Sequence, residues 1–218
     1  MSTPKVVAID GAAGSGKSTL ARGLARALGV PYVNTGLMYR ALAAAAVRAG
    51  VSPEDVERAV ELTRGLRFTL RGEDPPELEV EGFAGSDLTT PEVEITVSAV
   101  SRHPEVRRLM REAQRSLGER GAVMEGRDIG SVVFADAPVK LYLVAGEGTR
   151  VARRAAERGA ERGAVETAMH ARDARDALTN PFEPPAGGHV LDTTHLTIEA
   201  TVQAALAIVR ELAPELLA

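Results

Sequence analysis

Cysteine and tryptophan are both missing from this 218-residue chain, and aromatic residues make up only 3% of it. Without cysteine there can be no disulfide and no thiolate metal site, which suits a reducing compartment. With so few aromatics, the core has to be filled by Ala, Val and Leu. Lysine is nearly absent too: of 26 basic residues only Lys5, Lys17 and Lys140 are lysine, and the rest are arginine. No apolar run reaches the ~20 residues needed to cross a bilayer. Residues 1–5 lead directly into the first apolar run without a signal-peptide pattern. Together these absences make a cytoplasmic protein without a membrane partner the expectation. The net charge of −4 argues against bulk binding to nucleic acid. What is present, 44% hydrophobic and 26% charged residues, is enough for a full globular core.

Five apolar runs, 6–10, 31–33, 122–125, 139–144 and 189–191, read as buried strands. Between them, a 3.6-residue periodicity predicts helices over 17–28, 37–49, 53–64, 104–119 and 199–212. Ser52 followed by Pro53, Glu54 and Asp55 reads as a helix start. Strands alternating with helices imply parallel pairing through right-handed crossovers. The expectation is one domain over residues 1–218, a three-layer α/β fold with a five-stranded parallel sheet. Two regions break the rhythm. Residues 66–88 are rich in Gly, Glu and Pro and carry short alternating stretches at 67–70 and 77–81, which read as a small β insertion. Residues 146–178 are rich in Arg and Ala and read as irregular.

The first strand runs into Gly11-Ala12-Ala13-Gly14-Ser15-Gly16-Lys17-Ser18, which satisfies G-x-x-x-x-G-K-[ST] with a strand before it and a helix after it. The chemistry explains the residue types. A polyphosphate needs several backbone N–H groups aimed inward, in conformations only glycine adopts cheaply, and side chains small enough for the backbone to approach. The positive end of the helix dipole then faces the anion. Lys17 would supply a mobile charge to the β/γ oxygens, and the Ser18 hydroxyl a ligand for Mg²⁺. Such a loop alone does not separate a GTPase, a motor and a small-molecule kinase. No Asn-Lys-x-Asp segment for reading guanine is present.

Arginines and carboxylates follow at element ends. The segments Asn34-Thr35-Gly36-Leu37-Met38-Tyr39-Arg40, Glu125-Gly126-Arg127-Asp128-Ile129-Gly130-Ser131-Val132-Val133-Phe134, Pro138-Val139-Lys140, Arg172-Asp173-Ala174-Arg175-Asp176 and Leu191-Asp192-Thr193-Thr194 occur in an order and spacing that resembles the cytidylate kinase family. The likeness covers nearly the whole chain. Its most specific part is the run from Gly126 to Phe134, since a fold alone would demand little of it.

That resemblance implies a monomeric phosphotransferase that moves the γ-phosphoryl group of ATP, with Mg²⁺, to CMP or dCMP. It further implies a monophosphate-binding insertion at 64–100 and an arginine-bearing lid at 146–178. Gly11, Ala12, Ala13, Gly14, Ser15, Gly16, Lys17, Ser18 and Thr19 would bind ATP. Thr35, Tyr39, Arg40, Ser98, Arg107, Arg127, Asp128 and Asp176 would bind the acceptor. Among them Arg40 and Arg127 would hold the phosphate, and Asp176 the ribose. Asp128 would accept from the cytosine amino group, Arg107 would donate to the ring, and Ser98 would lie near that amino group. Lys17, Arg127, Arg154 and Arg172 would supply charge to the reaction.

Arginine enrichment supports the lid, since seven fall within residues 150–175 where the chain-wide rate predicts between two and three. A plainer reading stays open for each residue alone: a surface arginine, a polar spot on a helix at Ser98, or a helix-surface charge at Asp176 beside Arg172 or Arg175. The lid could equally be a solvated helix paired with Glu157 and Glu161. His103, His170, His189 and His195 have no metal or nucleophile spacing and are expected on the surface or in loops. Two other functions also remain: a kinase for another small acceptor such as UMP, and a non-catalytic ATP-binding regulatory module. The chain departs from the family pattern at Ala12, usually Pro, and at Thr89 and Thr179, both usually Arg. The segment between Gly163 and Arg172 is also shorter than typical.

Overall fold

A computed structural model describes residues 4–177 and 183–217, with the side chains of Arg158, Arg172, Arg175 and Asp176 excepted. The first strand, β1 (Val6–Gly11), is buried along its whole length and lies between β5 (Ala122–Gly126) and β6 (Val139–Val144), parallel to both. A strand covered on both faces reads as a continuous apolar run, which is why these three were legible. Val6 and Ala8 enter one core with Met38, Leu42, Val106 and Met110, from the helices α2 (Thr35–Ala49) and α5 (Pro104–Gly118). Val7 and Ile9 enter the other with Leu20, Leu24 and Val209, from α1 (Lys17–Leu28) and α8 (Ile198–Leu212). Each fully buried side chain of this size contributes about 1.5–3 kcal/mol. Met38, Met110 and Met124 are fully buried, so methionine fills part of the space that aromatics leave.

The sheet has seven strands, not the five expected. Its order is β3 (Phe68–Arg71), β4 (Glu77–Val80), β2 (Tyr32–Asn34), β5, β1, β6 and β7 (His189–Asp192). Only β3 and β4 pair antiparallel. The small β insertion therefore extends the main sheet: Tyr32 registers with Glu77, and the Tyr32 amide donates to the Pro76 carbonyl at 2.8 Å. β2 and β5 lie on one side of β1 and β6 and β7 on the other, so the order reverses at β1 and the crevice past its carboxyl end is the expected ligand position.

Three further local readings are corrected. The helix read from residue 53 is α3 (Val56–Gly65), because Asp55 caps it by accepting from the Arg58 amide at 3.1 Å. The region 146–178, read as irregular, holds two helices, α6 (Glu147–Arg158) and α7 (Arg162–Ala177), packed through Val151, Ala155, Val165 and Met169. His103, expected on the surface or in a loop, precedes α5 and is buried, its Nε2 2.7 Å from the Pro53 carbonyl oxygen. Between β4 and α5 lies α4 (Pro91–Val100), capped by Thr90. Among the described residues no helix is long and apolar enough to cross a membrane.

Candidate active site

The turn between β1 and α1 is built from backbone. Gly11, Gly14 and Gly16 have φ of +148°, +75° and +94°, a region that costs other residues strain. A Cβ on Gly11 would sit 2.4 Å from the Leu143 carbonyl oxygen, and one on Gly14 2.9 Å from that of Arg150. The chain can pass here only without side chains. Ala13, Gly14, Gly16, Lys17, Ser18 and Thr19 line one end of a cleft of about 650 Å³. Gly11 and Ser15 are buried and Ala12 is half-buried, and none of the three lines the cleft. The Lys17 ammonium donates to the Ala12 carbonyl at 2.7 Å, so it rests over the loop whose bound phosphates it would neutralise.

The same cleft is lined at its other end by Thr35, Tyr39, Arg40, Ser98, Arg107, Arg127 and Asp128. Thr35 opens α2, and its hydroxyl donates to the Glu125 carbonyl at 2.8 Å, which ties α2 to the end of β5. Arg40 falls in the second turn of α2, not the first, because the helix begins at Thr35. Its guanidinium is buried and donates to the Leu88 carbonyl at 2.8 Å and to Glu94 Oε1 at 2.6 Å. Arg107 on α5 donates to Asp128 Oδ2 at 2.6 Å, with both side chains only 13% exposed. Tyr39 stands beside this pair, its phenol pushed up to about 12 chiefly by burial. Arg127 donates from Nη1 to the Gly11 carbonyl at 2.9 Å and so bridges the two ends of the cleft.

Helix α6 closes the third side. Arg154 and Glu157 of α6 line the cleft and pair with each other at 2.7 Å, as the plainer reading of a solvated helix allowed. Arg150 donates to the Ala13 carbonyl at 3.2 Å and to Asp173 on α7 at 2.7 Å. Arg153 donates to the Thr193 hydroxyl at 3.0 Å and the Thr193 carbonyl at 2.7 Å. These contacts fasten α6 to the phosphate loop through Ala13, to α7 through Asp173 and to the end of β7 through Thr193. The side chains of Arg172 and Asp176, and all of Thr179, lie outside the described residues.

Four residues escaped the sequence reading. Glu94 enters the cleft from α4, and Glu125 lies buried at its floor. Tyr32 donates to Glu125 Oε1 at 2.6 Å, and burial with the adjacent carboxylate raises the phenol's pKa. Asp10 is buried at the end of β1. Both Asp10 and Glu125 are acidic residues closing an apolar strand run, and that pattern was the available signal.

A glycine-built anion cradle, a second pocket of arginines and carboxylates on the same cleft, and an arginine-bearing helical cover define a nucleoside monophosphate kinase. The comparisons specify which. The family model for cytidylate kinase matches residues 7–211. Proteins named cytidylate kinase from Roseiflexus castenholzii, Granulibacter bethesdensis and Solibacter usitatus are 42%, 41% and 42% identical to this chain. The alignments cover 85%, 94% and 94% of this chain and 84%, 96% and 92% of theirs. The chain belongs to the cytidylate kinase family.

Proposed function

We propose that this protein transfers the γ-phosphoryl group of ATP to CMP or dCMP, giving ADP and the cytidine diphosphate. The observation that carries the reading is the Arg107–Asp128 pair, set across the cleft from Lys17. It presents a carboxylate acceptor and a guanidinium donor side by side. Cytosine offers the complement, a 4-amino donor beside ring acceptors. The attacking group is a phosphate oxygen that already carries charge, so the reaction needs no general base. It needs two anions brought together and their repulsion offset. Loop amides and Lys17 would hold the donor, Arg40 the acceptor phosphate, and Arg127 the space between. Arg154 would approach from the lid, which would exclude water that otherwise hydrolyses ATP.

The donors available suit Mg²⁺, a hard cation that takes oxygen ligands. The Ser18 hydroxyl lines the cleft beside Lys17, and the chain has no thiolate. Ser18 would hold the ion, which when bound neutralises charge on the β- and γ-phosphates. Assignments of Arg172 and Asp176 rest on the family resemblance alone. A cytoplasmic monomer acting on free nucleotides, without nucleic-acid or membrane partners, completes the reading.

Uracil carries a 4-oxo group, whose lone pairs would face the Asp128 carboxylate. A site built to accept a hydrogen bond rejects a partner that cannot give one. The test compares acceptors in Asp128→Ala. We expect kcat/KM for CMP to fall about a hundredfold, roughly 3 kcal/mol, and the CMP-to-UMP preference to shrink by at least tenfold. An equal loss for both acceptors would remove Asp128 from base reading. A ratio cancels any general damage from leaving Arg107 without its carboxylate.

Glu94 gives a second expectation. Its carboxylate holds the guanidinium that would bind the acceptor phosphate, so two anions compete for Arg40. Glu94→Gln keeps a hydrogen-bond acceptor and removes the charge. Initial-rate kinetics should show KM for CMP lowered about three- to tenfold, with KM for ATP unchanged. A raised KM for CMP would mean that Glu94 serves only to orient Arg40.

A further inference from the structure

Asp10 belongs to neither substrate pocket, yet it is 2% exposed and sits one residue before the phosphate loop. Its two carboxylate oxygens accept different backbone amides: Oδ1 from Ile129 at 2.8 Å and Oδ2 from Gly130 at 2.7 Å. Those amides begin the tight turn Ile129–Val133, directly after Arg127 and Asp128. Immediately beside this contact, the Gly11 carbonyl accepts from Arg127. The end of β1 is thus fastened twice to the segment that bears both acceptor-reading residues.

We infer that Asp10 is a positioning residue, which holds the Arg127–Asp128 turn in register with the phosphate loop so that donor and acceptor phosphates meet in line. This rests on the kinase reading above. It acts through two charge-assisted hydrogen bonds of fixed direction, which a neutral amide cannot reproduce. An asparagine there offers one acceptor oxygen, and its NH₂ would oppose the second amide N–H.

Stability alone does not account for the carboxylate. Burial pushes the Asp10 carboxyl up to about 6, against the two amide bonds that draw it down. The titratable groups facing it are Asp128, whose charge adds to the rise, Lys17, whose charge opposes it, and the neutral Tyr142 phenol on β6. A folded-state value above the unfolded one means that ionised Asp10 costs stability at neutral pH. That cost fades as pH falls from about 6 toward 4, where the folded form takes up a proton that the unfolded form does not hold. A group kept in its costly state fits a role in geometry.

The test is Asp10→Asn, an isostere of the protonated acid. We expect kcat for CMP phosphorylation to fall about thirtyfold at pH 7.5, while affinity for an ATP analogue stays within threefold and Tm is unchanged or higher. In the unliganded protein, amide hydrogen exchange at Ile129 and Gly130 should accelerate at least tenfold relative to Val7 in β1. Unchanged kcat with unchanged exchange at those two amides would overturn the inference, as would a loss of activity matched by a fall in Tm. If the unmodified protein shows no CMP-dependent ADP release, the kinase reading fails, and the exchange experiment still decides whether Asp10 holds the turn.

Discussion

Lys17→Met should lower kcat for phosphoryl transfer by about three orders of magnitude, roughly 4 kcal/mol, with the protein still folded. Lys17 is the single lysine among the residues lining the cleft, and it follows the glycine loop at the amino end of α1. Its ammonium lies on the Ala12 carbonyl at 2.7 Å, within the same loop. A short swing would carry it to a triphosphate held by the loop amides. Methionine matches its length and lacks the charge, so it removes the electrostatic contribution and little else. Backbone amides and the helix dipole remain, which limits the effect on ATP binding to about tenfold. Steady-state kinetics and a binding titration separate the two quantities. Equal losses in kcat and in ATP affinity would show that Lys17 serves uniform binding rather than the transition state.

Arg127→Ala carries the second large expectation, a fall in turnover of about a hundred- to a thousandfold, or roughly 3–4 kcal/mol. Arg127 follows β5 directly, and its guanidinium contacts the Gly11 carbonyl at 2.9 Å. From there it faces both halves of the cleft. A planar fork placed between two phosphates can bond to oxygens of each as charge moves from one to the other. Arg127→Lys should recover only part of the loss, since a single ammonium cannot span both. Full activity in Arg127→Ala would exclude it from the mechanism.

Much of this organisation could be read from the sequence, and the limits have physical causes. The buried strands of the central sheet are apolar on both faces, so β1 and β6 stand out as continuous runs and were placed to within a residue. The phosphate loop was legible because its chemistry requires particular residues at fixed spacing. The two extra strands were less so. Their alternation is visible locally, but their attachment to β2 depends on the long-range pairing of Tyr32 with Glu77. The helices α6 and α7 were hidden by composition, since arginine and alanine dominate them and, among the described residues, four buried side chains join them. Side-chain pairing across the cleft lay furthest out of reach. Arg40 meets Glu94, 54 positions away, and Arg107 meets Asp128, 21 away. Sequence could nominate Arg40, Arg107 and Asp128 for an acceptor, and only the fold brings them to one cleft with Lys17. It also adds a competing carboxylate that no local pattern announced.

The central claim is that this cleft moves phosphate from ATP to a cytidine monophosphate. Its most direct measurement is ADP release with Mg-ATP over a panel of CMP, dCMP, UMP, AMP, GMP and shikimate. The account predicts that CMP and dCMP give the highest kcat/KM, with UMP lower by at least tenfold and the others near background. Equal rates with every acceptor, or ADP release that ignores them all, would contradict it.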